Sequence, residues 1–235
     1  MMVKRNIVFP VVLFALVTLI SSVVFALDIR NDVVYGYNCV RTMAVNRRMG
    51  KVVALTFDDT PNVYTLKIIK ILQSYRVRAT FFLVGYQVKK HPDIAKRIVD
   101  AGYELGNHSF SHRWNGKQTV EDLLKDIGRA EKIIVDTTGH IPLYLRPPGG
   151  LLNEKIKKAC GRSGYGIVLW TVDSQDWAIK ENKEAIYHNV IDHVRPGSVI
   201  LFHSLPQTVE ALPQILETLQ SKGYQILSVS SVFKN

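Results

Sequence analysis

From Lys51 onward, the 235-residue chain alternates short apolar runs with longer segments whose apolar residues recur every three or four positions. Runs of the first kind read as buried strands and segments of the second as amphipathic helices. "KVVALTF" precedes "YTLKIIKILQSY", and "RATFFLV" precedes "QVKKHPDIAKRIVDAG", a single helix closing on Gly102. The short strand "YELGNH" leads into "TVEDLLKDIGRAEKIIVDTTG", a long helix with Thr119 placed as its cap and Gly139 near its end. "PLYLRPPGG" gives a strand and a stiff turn, and "NEKIKKACGRSG" a helix. "YGIVLWTVD", "GSVILFHS" and "YQILSV" follow as strands, separated by the helical "KENKEAIYHNVIDHV" and "LPQTVEALPQILETLQSKG". Strands alternating with helices of this length require parallel βαβ units. About seven fit, which predicts an α/β fold with a barrel-like or doubly wound sheet and its site at the carboxyl ends of the strands.

The N-terminus belongs to a different kind of segment. Lys4 and Arg5 precede an uncharged run from Ile7 to Ile20, and Val24-Phe25-Ala26 resembles a small-x-small cleavage site. Residues 1–26 therefore read as a signal peptide or an N-terminal membrane anchor, since the uncharged stretch from Asn6 to Leu27 is long enough to span a bilayer. Either reading exports the domain to an extracellular, cell-wall or membrane-associated face. No Cys follows the run, which argues against a lipoprotein anchor. Residues 27–49 read as a lead-in, and 50–235 as one catalytic-size domain.

Removing residues 1–26 takes away Lys4 and Arg5 and no acid, so the net charge falls from +10 to +8. A basic exported protein is drawn to anionic wall polymers or membrane surfaces. Nucleic acid is a poor alternative, because the Lys and Arg residues are scattered. An oxidising exterior permits Cys39 and Cys160 to pair, though the sequence does not show that they meet. Two thiols so far apart argue against a Cys-based zinc site.

Titratable residues recur at the strand ends. "TFDD" ends the first strand on Asp58 and Asp59, and "GNHSFSH" follows the third with His108 and His112 four apart. "LRPPGG" puts Arg146 after the fourth, "TVDSQDW" puts Asp173, Asp176 and Trp177 after the fifth, and "LFHS" ends the sixth on His203. Two imidazoles at that spacing can face one metal, and a carboxylate completes a two-His, one-acid site with open positions. A pair of loop histidines is often only that. Joined to the Asp pair and His203 at matching strand ends, the metal reading is much the stronger. A second carboxylate could then take a proton from water, Arg146 could orient it, and a His could protonate a leaving group. Asp173 and Asp176 are both candidates to hold that His. Trp177 offers either a flat wall to a sugar or an ordinary core contact.

"TFDDTP", "HSFSH", "RPPGG", "DSQDW" and "LFH", in this order, resemble the five motifs of the polysaccharide deacetylases, carbohydrate esterase family four, with its NodB-homology domain. The resemblance covers roughly residues 50 to 230. It implies a distorted (β/α) barrel of about seven parallel strands and hydrolysis of N-acetyl groups on peptidoglycan or a chitin-like glycan. It also implies a divalent transition metal, zinc first with cobalt or nickel as alternatives, on Asp59, His108 and His112. Asp58 matches the base, Arg146 the residue orienting it, His203 the acid and Asp176 its partner. Gly149 matches a main-chain donor to the oxyanion, and Trp177 and Leu201 match walls of the acetyl pocket. An O-acetyl esterase and a glycan-binding module without turnover stand as alternatives. Two positions depart from the family: Thr60 replaces the usual Gly, and Gly149 the commoner Tyr. If the backbone at Thr60 needs a positive φ, a β-branched residue is poorly suited and the loop is reshaped.

Overall fold

The computed structural model describes residues 50–233 and, ahead of them, the backbone of Val34–Tyr35. The leader over residues 1–26 and Cys39 lie outside the described residues. Among the described residues, nine strands form one sheet: β1 (Val34–Tyr35), β2 (Val52–Thr60), β3 (Thr80–Leu83), β4 (Glu104–Asn107), β5 (Tyr144–Leu145), β6 (Gly166–Val168), β7 (Val172–Asp173), β8 (Val199–His203) and β9 (Gln225–Leu227). Their order is β1-β6-β5-β4-β3-β2-β8-β7, with β9 beside the start of β2. Every pairing is parallel except β1 on β6. The result is a distorted (β/α) barrel.

The seven strand segments expected from the sequence are all present, but "YGIVLWTVD" is not continuous. Its first half is β6, paired with β5, and its second half is β7, paired with β8 at the other edge. Residues 169–171 cross between the edges. Thr171 anchors the far side, its N–H donating to the Val199 carbonyl at 2.9 Å while its Oγ1 accepts from Val199 N–H at 3.0 Å.

The helices are α1 (Thr65–Ser74), α2 (Gly85–Lys90), α3 (Pro92–Asp100), α4 (Val120–Thr138), α5 (Glu154–Arg162), α6 (Lys183–Ile191), α7 (Pro206–Ser221) and α8 (Val229–Phe233). "QVKKHPDIAKRIVDAG" therefore makes two helices rather than one. His91 separates them at φ −131°, ψ 57°, because a proline disfavours helical geometry in the residue before it. The long helix α4 forms as expected. Thr119 and Asp122 make a reciprocal capping box, and Gly139 closes the helix at φ 73°.

Alternation along the strands sorts the core. Val53, Leu55 and Phe57 of β2, with Ile200 and Phe202 of β8, face the helices in the larger apolar cluster. Val52 and Ala54, with Val199, face the barrel interior, which α8 closes from below with Val229 and Val232. Phe57 stacks on Phe81 at 5.1 Å and on Phe202 at 5.6 Å between ring centres, tying three adjacent strands together just behind their carboxyl ends. Among the described residues no helix is long and apolar enough to cross a membrane.

Candidate active site

In a regular strand, adjacent side chains point to opposite faces. Asp58 and Asp59 escape that rule because β2 changes register against β3 between Phe57 and Thr60, with Asp59 in the left-handed region at φ 57°. Both carboxylates thus reach the same ring nitrogen: Nε2 of His108 lies 3.6 Å from Asp58 Oδ2 and 3.8 Å from Asp59 Oδ1. The positive φ in this turn falls on Asp59 and not on Thr60. Thr60 is buried within the strand, its Oγ1 donating to the Phe82 carbonyl at 3.0 Å. The condition for a strained β-branched residue at position 60 is therefore not met.

Asp59, His108 and His112 offer one carboxylate oxygen and two ring nitrogens within 4.8 Å of one another. Asp59 Oδ1 is buried and makes no hydrogen bond, although His112 Nε2 lies 3.1 Å away. An orphaned carboxylate oxygen facing two imidazoles is the donor set of a two-His, one-acid cation site. The His108 ring is oriented for it, since Nδ1 sits 2.7 Å from the Arg146 carbonyl. A carbonyl only accepts, so Nδ1 carries the proton and Nε2 presents its lone pair. Burial pushes this imidazole below its ordinary value, against the pull of Asp58 and Asp59, which favours the neutral ligand.

Arg146 is fully buried. Its Nη1 donates to Asp58 Oδ1 at 2.8 Å and to Thr56 Oγ1 at 2.9 Å. Its Nε and Nη2 donate to the carbonyls of Val168 and Leu169 at 3.0 and 2.9 Å. Those carbonyls lie where the strand breaks between β6 and β7, so Arg146 satisfies backbone acceptors at the break. The guanidinium also rests on the Phe82 ring at 4.1 Å.

On the neighbouring strand, His203 pairs in register with Asp58. Its Nδ1 lies 2.7 Å from Oδ1 of the fully buried Asp176, whose Oδ2 accepts from the His203 N–H at 2.7 Å and from Thr208 Oγ1 at 2.5 Å. Burial alone would lower the His203 value. The hydrogen bond and charge of Asp176, aided by Asp58 and Asp59, outweigh it and raise the imidazole to about 9. Asp173 does something else. Its carboxylate accepts from Gln175 N–H at 2.8 Å and from Trp177 Nε1 at 3.4 Å. Trp177 is 60% exposed, a wall rather than a core residue.

A cleft of about 330 Å³ gathers Asp58, His108, His112, Gly149, Trp177, Leu201 and His203. Every candidate except Arg146, Asp59 and Asp176 lines it; Arg146 and Asp176 are buried behind Asp58 and His203, and Asp59 borders the hollow beside it. Gly149 has φ 61° and nothing within 4 Å of where a Cβ would project, so the wall is open there. Trp170 also lines the cleft and was missed in the sequence reading. Its ring lies against Gly150, where a Cβ would come within 2.6 Å of it. An aromatic at the end of the strand-like "IVLW" was the available signal. A second hollow of about 250 Å³ continues past Asp59 and His112 between Asn62, Gln87 and the exposed ring of Tyr86.

A model of the polysaccharide deacetylase family matches residues 46–168. A peptidoglycan-N-acetylglucosamine deacetylase of Bacillus cereus is 35% identical over 191 residues, covering 78% of this chain and 89% of the relative. A peptidoglycan-N-acetylmuramic acid deacetylase of Bacillus subtilis is 36% identical over 184 residues, 77% of this chain and 38% of that longer protein. Among solved structures, a family-four carbohydrate esterase pseudoenzyme of Bacillus anthracis superposes with a TM-score of 0.75 at 30% identity, covering 78% of this chain and 65% of its own.

Proposed function

The chain belongs to the polysaccharide deacetylase family, and from that premise we propose that it is an exported, metal-dependent enzyme that removes acetyl groups from N-acetylhexosamine units of peptidoglycan. The observation that carries this reading is the convergence on one cleft of an Arg-held carboxylate, a two-His, one-acid cluster and an Asp-held histidine. A pseudoenzyme shares the fold, so activity depends on these side chains and not on the architecture.

A divalent ion on Asp59, His108 and His112, zinc first, would polarise the amide carbonyl and acidify a water molecule beside it. Asp58, held in place by Arg146 at 2.8 Å, would take the proton from the attacking water. The main-chain N–H of Gly149 donates to the oxyanion of the tetrahedral intermediate. His203, with Nδ1 occupied by Asp176, gives its Nε2 proton to the departing amine as the C–N bond breaks. Acetate and a free amino sugar leave, and no covalent enzyme intermediate forms. Leu201 floors the cleft and Trp177 stands over it, as suits a methyl group and a sugar face.

Export rests on the basic and apolar character of residues 1–26, and the wall as target on that export, the net charge of +10 and the named relatives. The test is acetate release by the purified full-length chain from peptidoglycan and from N-acetylglucosamine oligomers, with zinc and with chelator. Zinc-dependent release, better from peptidoglycan, is expected. Release only from acetylxylan would replace the amide reading with an ester one.

A further inference from the structure

His112 is the outermost member of the metal cluster. Its side chain is 38% exposed, against 2% for His108. His108 is fixed from two sides, by Nδ1 on the Arg146 carbonyl and by its N–H on the Leu83 carbonyl at 2.9 Å. Among the described residues the His112 ring has only Asp59 Oδ1 as a polar partner, 3.1 Å from Nε2, and no second-side partner like the Arg146 carbonyl; its N–H donates to Ser109 Oγ at 3.0 Å. The loop carrying it is itself strained, with Ser109 and His112 both in the left-handed region at φ 65° and 53°. Non-glycine residues hold such geometry only where surrounding structure imposes it.

That structure is one face of α4. Asp126 Oδ1 accepts from the Ser111 N–H at 3.2 Å, while Oδ2 accepts from Ser111 Oγ at 3.2 Å and from Trp114 Nε1 at 2.9 Å. Arg129, three residues on and so on the same helix face, lays its guanidinium 3.6 Å from the centre of the Phe110 ring. Asp126 and Arg129 thus grip the loop at Phe110, Ser111 and Trp114, on both sides of His112. Neither lines the cleft.

We propose that Asp126, supported by Arg129, is a positioning residue for the metal site: it clamps the 109–114 loop so that His112 meets the ion that His108 and Asp59 hold from the other side. The proposal rests on the metal reading above. It assigns α4 a part in metal affinity and none in proton transfer.

The test is zinc titration of the full-length apo-protein by competition with a chromophoric chelator, for the wild type, Asp126→Asn, Asp126→Glu and Arg129→Gln. Outer partners of metal ligands typically contribute tenfold to a hundredfold in affinity. Asp126→Asn should weaken zinc binding by about that factor, because its amide NH2 takes the place of one of the two acceptor oxygens and faces either the Ser111 N–H or the Ser111 hydroxyl and Trp114 indole as a second donor. Asp126→Glu should recover part of the loss, and Arg129→Gln should show a smaller one. Deacetylation by Asp126→Asn should return towards the wild-type rate at high zinc. The melting temperature of its apo-protein, which a merely structural role would lower, should stay close to that of the wild type. Wild-type zinc binding with unchanged affinity in Asp126→Asn would overturn the clamp alone. No zinc binding by the wild type would overturn the metal reading beneath it.

Discussion

The main-chain carbonyl of Arg146 orients His108 at 2.7 Å, while the side chain of the same residue grips Asp58 at 2.8 Å. One residue therefore sets the tautomer of a candidate metal ligand and the position of the candidate base. The two tasks use different atoms, so substitution can separate them.

Arg146→Met should keep the carbonyl and lose the grip. It would leave a buried carboxylate and the carbonyls of Val168 and Leu169 without their donors, a loss on the order of 3–5 kcal/mol for breaking a buried pair. Urea unfolding of the apo-protein measures it. A change under about 1 kcal/mol would mean that water reaches Asp58 and replaces the guanidinium.

Asp58→Asn should lower kcat by about two to four orders of magnitude, the range of a lost general base. Zinc content by mass spectrometry should remain near that of the wild type, since Asp58 stands beside the cluster rather than in it. Loss of the metal together with the rate would move Asp58 into the ligand set.

His112→Ala should do the reverse. Metal content should fall well below one ion per chain while the circular dichroism spectrum stays near native, because the side chain is part-exposed and buries little apolar surface. Retention of a full ion would remove His112 from the cluster.

The pH profile tests the acid. Protonated His203 persists to about 9, so the alkaline limb of kcat/KM should lie near there. Asp176→Asn removes the charge that raises it, and the limb should move down towards the ordinary 6.5. The linked stability has the same sign. The folded-state value is raised, so the contribution is complete below about 6.5 and is lost as pH rises through about 9. An alkaline limb unmoved by Asp176→Asn would assign the acid elsewhere.

Trp177 and Tyr86 are both exposed rings, one over the cleft and one beside the hollow beyond the metal cluster. Each replaced by Ala should cost little stability. Trp177→Ala should raise KM for every acetylated sugar by roughly threefold to tenfold, the worth of one aromatic contact. Tyr86→Ala should raise KM for oligomers and spare the shortest substrate. Equal effects of Tyr86→Ala on short and long glycans would show that this ring makes no contact beyond the reacting sugar.

Strand-end chemistry was legible in the sequence because an apolar run ending on "DD" or "FH" declares both the strand and the end at which a parallel sheet builds its site. The break at His91 was missed in the single helix read there, although Pro92 carried the signal for it. The seam at residues 169–171 was not legible, because "YGIVLWTVD" is apolar through Trp170 with no turn residue to mark a break, and only the barrel's geometry assigns its halves to different edges. The division of labour between Asp173 and Asp176 was equally hidden: both follow the same strand, and only the fold brings one of them to His203. Tertiary register also decided the fate of Thr60. The backbone turned one residue earlier, at Asp59, a choice no local propensity records. The grip of α4 on the 109–114 loop lay in an ordinary amphipathic pattern, where Asp126 and Arg129 look like solvated surface.

Within β2, whether a side chain faces the lumen or the helices depends on the parity of its position, until the shift at Asp59 changes that parity once. The strand end therefore works like a reading frame. A substitution upstream alters one letter, and its effect stays local. Inserting or deleting a single residue between Val52 and Asp58 would exchange inside for outside downstream. It would carry both carboxylates away from His108 in one step. In this strand, length is under tighter restraint than identity.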